Sequence, residues 1–133
     1  MRKFYFKFYR TEKGKAPLAK FLSELSDEDY EEALNILCLL REKGHTLKRP
    51  FVKKIEGKLN ELRTHSSAHE IRIFYFFHIA DIIILIDGFI KKTQKTPKKE
   101  KQNAIKKMKD FNKREKKNDK NGKNKKNKKG KRA

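Results

Sequence analysis

The fold turns on the stretch His69–Lys92, "HEIRIFYFFHIADIIILIDGFIKK". It holds two apolar runs, His69–His78 and Asp81–Ile90, separated only by Ile79 and Ala80. Runs rich in Ile, Phe and Tyr with such a short link read as a β-hairpin, although the link lacks the usual Asn-Gly or Gly. Side chains alternate between the faces of a strand. Ile71, Ile73, Tyr75 and Phe77 therefore share one face, and Glu70, Arg72, Phe74 and Phe76 share the other. An arginine on an aromatic face is costly unless it is paired or functional. The second run ends in Gly88-Phe89-Ile90 and then abruptly in cations: Lys91, Lys92, Lys95, Lys98 and Lys99, with no carboxylate until Glu100.

Upstream, Lys58–Arg63 ("KLNELR") reads as another strand, and Thr64–Ala68 ("THSSA") as a loop. At the N-terminus, Arg2–Tyr9 is aromatic-rich with Phe4, Phe6 and Phe8 on one face, a strand pattern. Leu18, Phe21, Leu22 and Leu25 fall at helical spacing. Ser26 reads as the N-cap of a second helix, and Asp27, Glu28 and Asp29 suit its dipole. That helix is expected to run to Lys43, with Tyr30, Ala33, Leu34, Leu37 and Cys38 facing inward and Gly44 as its stop. Thr96-Pro97 has the form of an N-cap followed by proline, opening a closing helix with the stripe Ala104, Ile105, Met108 and Phe111. The element order is β-α-α-β-β-β-α: an α+β domain with a mostly antiparallel sheet, an N-terminal helical hairpin and a C-terminal helix.

The chain has 133 residues, 41% of them charged, and a formal net charge of +20. Residues 113–133 carry twelve Lys or Arg against Glu115 and Asp119, which leaves twenty-five basic against fifteen acidic side chains in 1–112. This divides the chain into a globular domain, 1–112, and a lysine-rich tail, 113–133, expected to be disordered because it has almost nothing apolar to bury. The domain is basic in its own right, which points to nucleic acid or an anionic surface as partner. The single cysteine, Cys38, forms no internal disulfide and suits a reducing cytoplasm. No run approaches a membrane span, and the charged N-terminus does not read as a signal peptide. A membrane-surface role for the tail lacks an insertion helix or lipidation signal.

Hydrolytic chemistry with a protein nucleophile has no support: G-x-S-x-G and phosphate-binding glycine loops are absent. His65 and His69 lie around a loop without a completing ligand, so no metal site is expected. His45 and His78 read as loop or strand-end residues. The cations remain. Arg63, Arg72, Lys91 and Lys92 line one basic face if their strands are neighbours. RNA phosphodiester cleavage suits such a face, because the 2′-hydroxyl is an internal nucleophile and needs only charge stabilisation and proton movement. A lysine crowded by like charges can move the proton, and so can His65 or His69. The plainer reading has Arg63 paired with Glu61 or Glu70 and the lysines simply solvated.

Taken together, "KLNELR", "EIRIFYFF" and "IIILIDGFIKKTQKTPKKE" resemble the phage-derived, HigB-like branch of the RelE/HigB toxin family. The resemblance implies a small twisted sheet with two N-terminal helices packed on it. It implies the toxin of a type II toxin–antitoxin module, an endoribonuclease (mRNA interferase) that cuts mRNA on the ribosome without a metal or small-molecule cofactor. It also implies a cytoplasmic location and a cognate helix-turn-helix, HigA-like antitoxin as partner. Residue by residue, it gives Arg63, Arg72, Lys91 and Lys92 catalytic roles. Lys58, His65, His69, Gln94, Lys95 and Lys98 accompany them as RNA-binding candidates. Many relatives place a tyrosine or histidine near the end of the domain, where this chain has Phe111. A non-catalytic RNA- or antitoxin-binding member of the same fold is the alternative.

Overall fold

The computed structural model describes residues 4–64, 69–91 and 97–129, with side chains described to residue 117 in the last helix. Strand β1 (Tyr5–Phe8) is followed by helices α1 (Pro17–Ser23) and α2 (Asp27–Lys43), and by a short 3-10 turn, Gly44–Thr46. Strands β2 (Val52–Glu56), β3 (Leu59–Arg63), β4 (Glu70–Phe77) and β5 (Ile82–Lys91) come next, and α3 (Lys98–Lys129) closes the chain. The sheet order is β1-β5-β4-β3-β2. Among the described strands only the β1–β5 pairing is parallel. This is the expected α+β fold, with one strand more than the sequence reading found.

That extra strand, β2, sits at the edge of the sheet. Its sequence, "VKKIE", carries two lysines where an interior strand would be apolar; lysines on an edge discourage pairing with other chains. It returns into β3 through a two-residue turn, Gly57-Lys58, with Gly57 at φ 57°. The β4–β5 connection uses Ala80 at φ 54° instead of a glycine, and the turn closes through Ile82 N–H to the Ile79 carbonyl at 3.1 Å.

Alternation along the strands builds two cores, one on each face. On the α1/α2 face, Leu62, Ile71, Ile73, Tyr75, Ile83 and Leu85 meet Leu18 and Leu22 of α1 and Ala33, Ile36, Leu37 and Leu40 of α2. On the α3 face, Leu59, Phe74, Phe76, Ile84, Ile86 and Phe89 meet Ala104 and Phe111. Ser26 caps α2 as expected, accepting from the Asp29 N–H at 3.1 Å. The inward stripe of α2 is rotated from the expected one: Tyr30, Leu34 and Cys38 are exposed, while Ile36 and Leu40 are buried. The 3.6-residue period allowed either face, and the larger aliphatic set won the core.

Helix α3 is clamped at several points. Lys101 pairs with Glu56 at 3.7 Å, Lys107 with Asp87 at 3.3 Å, and His78 with Glu115 at 3.6 Å. The Tyr9 hydroxyl donates to Asp110 at 2.6 Å, and Arg114 donates both to Asp110 and to the Arg10 carbonyl. Contacts with the sheet thus continue to Glu115, past the boundary expected at 112. The expected N-cap Thr96 lies outside the described residues; the Pro97 carbonyl accepts from the Lys101 N–H at 3.1 Å.

Candidate functional site

The antiparallel register fixes which cations meet. Arg63 on β3 stands directly opposite Arg72 on β4. Arg72 in turn stands opposite Phe89, and Glu70 opposite Lys91 on β5. Two arginines face to face across strands would repel. Glu61, two residues before Arg63 and so on the same face, resolves this. Its side chain is 0% exposed and lies 3.1 Å from Arg63 Nε and 3.9 Å from Arg72 Nε. Glu70 holds the other end of Arg72, with Oε1 2.7 Å from Nη2. On β2, Lys53 is the cross-strand partner of Glu61. The result is a compact network of three cations, Arg63, Arg72 and Lys91, against two carboxylates, at one end of the sheet.

Burial sets the electrostatics. The Arg72 side chain is 4% exposed. Desolvation lowers its pKa, with Arg63 adding to the effect and Glu70 and Glu61 opposing it. Its Nη1 donates to the Ile71 carbonyl at 3.3 Å, but its buried Nε–H has no hydrogen-bond acceptor among the described residues. An orphaned buried donor costs roughly 1–3 kcal/mol. Lys91 is also lowered, first by desolvation, then by Arg72 and Arg63, against the opposing pull of Glu70 and Glu61. Lys91, shifted toward neutrality, is thus next to two guanidinium groups. Glu70 is 56% exposed and can turn to water, freeing the Arg72 fork for an anion. A planar guanidinium matches phosphate oxygens in pairs.

Of the site residues expected from sequence, Arg63, Arg72 and Lys91 come together. Lys92, His65, Gln94 and Lys95 lie outside the described residues. Lys58 sits in the β2–β3 turn, at the opposite end of β3 from Arg63, roughly 17 Å away along the strand. His69 lies on the α2 side, where its Nδ1 is 2.9 Å from the buried carboxylate of Asp29. Lys98 opens α3, one turn before the Lys101–Glu56 pair. Phe111 packs edge-on against Phe76 and His78 as a core residue. Among the described residues no three His, Cys, Asp or Glu side chains group as a metal site, and no helix is long and apolar enough to cross a membrane. The plainer reading of Arg63 is realised in its pairing with Glu61. The sequence did not reveal how deeply Glu61 is buried, although its position in the alternation of Leu59, Glu61 and Arg63 carried that signal.

A five-stranded mixed sheet with two N-terminal helices on one face, a C-terminal helix on the other and a cationic network at one sheet end is compatible with the RelE-like fold. The chain belongs to the phage-derived protein Gp49-like family, whose model matches residues 20–109. That family is associated with RelE-like toxins. The matched span contains the end of α1, all of α2 and β2 to β5, and every site residue named above. No curated protein matches the chain.

Proposed function

We propose that this chain is the toxin of a type II toxin–antitoxin module, of HigB-like type, and that it cleaves mRNA on the ribosome. The observation that carries this reading is the convergence of Arg63, Arg72 and Lys91 at one sheet end, with a buried, incompletely bonded guanidinium at its centre. The family's association with RelE-like toxins supports it.

In this mechanism a phosphate displaces Glu70 from Arg72. Arg72 and Arg63 then neutralise the charge that grows on the pentacoordinate phosphate. Neutral Lys91 takes the proton from the 2′-hydroxyl as that oxygen attacks phosphorus. The bond from phosphorus to the 5′-oxygen breaks, that oxygen leaves with a proton drawn from water, and Lys91 then returns its proton to water. The products are a 2′,3′-cyclic phosphate and a 5′-hydroxyl, and no metal takes part in the steps. Lys92 adds charge beside Lys91. Gln94, Lys95, Lys98 and His65 contact the RNA strand around the site, whereas Lys58, at the far end of β3, and His69, held against Asp29, lie apart from it. A helix-turn-helix antitoxin neutralises the toxin.

The test is primer extension on transcripts after induction, in the parent and in Arg72→Ala and Arg72→Lys. The parent gives discrete cuts within codons and arrests growth; both variants lose the cuts. Arg72→Lys keeps the charge and loses the fork, so its loss separates chemistry from folding. An Arg72→Lys variant as toxic as the parent refutes the site. A second reading, an RNA-binding member that does not cleave, is favoured by one feature: both arginines already hold carboxylates. Stalled translation with intact transcripts identifies it.

A further inference from the structure

On the opposite face of the sheet, one row of residues breaks the apolar pattern. Lys54, Asn60 and Tyr75 are successive cross-strand partners on β2, β3 and β4. Their neighbours on that face, Val52, Leu62 and Ile73, belong to the aliphatic core. Asn60 is 9% exposed, and among the described residues its amide nitrogen reaches the Lys58 carbonyl alone, at 3.4 Å, the limit of a hydrogen bond. An amide and a phenol in a hydrophobic layer destabilise the core unless something uses them.

Above this row the chain leaves a hollow of about 330 Å³. The wall is the turn at Gly44 and His45, continuing through Leu47, Lys48 and Arg49. Lys48, Arg49 and Lys54 line it, and among the described residues no carboxylate does. The His45 ring stacks on Phe77 at 3.6 Å between centroids and 26° between planes. The volume falls in the range of small-molecule sites.

Three features must be met by one ligand. Three cations without a counter-carboxylate call for an anion such as phosphate. An aromatic pair on the wall calls for a planar ring. A poorly bonded amide, with two donors and an acceptor, calls for a polar edge to pair with. We propose that this hollow binds a nucleotide, with its base against the His45–Phe77 stack and Asn60 and its phosphate on Lys48, Arg49 and Lys54. The nucleotide is either free or one residue of an RNA strand. The site is separate from the cationic end: Asn60 points away from Glu61 and Arg63, its neighbours in β3 whose side chains lie on the α3 face. It stands whether or not the chain cleaves RNA.

The experiment is titration of the full chain by calorimetry with adenosine 5′-monophosphate, ribose 5-phosphate and adenosine, with circular dichroism confirming each variant is folded. The monophosphate binds, and ribose 5-phosphate and adenosine each bind about tenfold more weakly or worse. The double variant Lys48→Glu/Lys54→Glu and the variant His45→Ala each lose about tenfold or more, while Arg72→Lys binds as the parent does. Competition by a short single-stranded oligoribonucleotide assigns the nucleotide to an RNA strand; monophosphate binding that the oligonucleotide leaves unaffected assigns it to a free molecule. Absence of monophosphate binding at millimolar concentration overturns the proposal. So does unchanged affinity in Lys48→Glu/Lys54→Glu, or ribose 5-phosphate binding equal to that of the nucleotide.

Discussion

Replacing Glu61 by glutamine tests the electrostatic core of the site. The carboxylate is fully buried, 3.1 Å from Arg63 Nε and 3.9 Å from Arg72 Nε. The substitution keeps the volume and one acceptor oxygen but cancels the charge. A hydrogen bond to a charged group is worth roughly 1.5–3 kcal/mol and a neutral one roughly 0.5–1.5, so about 1 kcal/mol goes at Arg63. At Arg72, a pair 3.9 Å apart attracts by roughly 4 kcal/mol at an effective dielectric of about 20, much of it offset by the desolvation that glutamine no longer requires. Among the described residues Glu70 remains as the nearby counter-charge, and it is half in water. The expected loss is therefore about 2–3 kcal/mol. With a urea slope near 1.5 kcal/mol per molar, the unfolding midpoint falls by roughly 1–2 M. Combining Glu61→Gln with Arg72→Met gives a double-mutant cycle, with a coupling of about 1–3 kcal/mol expected. A Glu61→Gln chain within about 0.5 kcal/mol of the parent, or a coupling near zero, refutes the argument that Glu61 holds the arginines together.

Cleavage should follow the neutral form of Lys91, so the rate rises with pH up to the lowered pKa of that lysine and levels off above it. Glu70→Gln removes a counter-charge that raises this pKa, so the rising limb should move to lower pH; a limb that moves to higher pH excludes Lys91 as the base. Gly44→Ala should cost about 2–4 kcal/mol in thermal unfolding, because the residue sits at φ 52° and an added Cβ collides with the Phe4 ring; an unchanged Tm contradicts the packing described. Arg114 and Tyr9 hold the Asp110 carboxyl below its usual pKa. Its stabilisation is therefore present above the ordinary carboxylate range and fades as the pH falls through the lowered value. Asp110 is partly exposed, so the effect stays below about 1 kcal/mol. Comparing Asp110→Asn with the parent across acid pH checks this, and a difference that persists at low pH rejects it.

The hairpin β4–β5 was legible because its two faces alternate so cleanly, and that alternation placed Arg72 on the aromatic side. The Arg63–Arg72 pairing followed once β3 was read as a neighbour. Strand β2 escaped because Lys53 and Lys54 give an edge strand a polar look, and its pairing with β3 is set by the Gly57 turn rather than by apolar periodicity. The facing of α2 was misread at Tyr30, Leu34 and Cys38, since helical spacing fits that stripe and the Ile36–Leu40 stripe equally; only the position of α1 and the sheet decides between them. The sequence showed two carboxylates near the arginines but not that one would be sealed and the other exposed. That difference arises from register, a long-range property. The Lys54–Asn60–Tyr75 row was invisible for the same reason, because it joins three strands, one of them unrecognised.

The parallel pairing of β1 with β5 sets Tyr5 against Ile82 and Phe8 against Leu85. Strand β1 therefore has no partner in this sheet until β5, its last strand, has formed. Closing so long a loop is entropically slow, and contacts of this kind delay folding. Arg63 and Arg72 have no Lys91 beside them until the same strand arrives. A copy in which β5 has not yet joined the sheet thus lacks the assembled cationic end, and it acquires that end only when β5 docks.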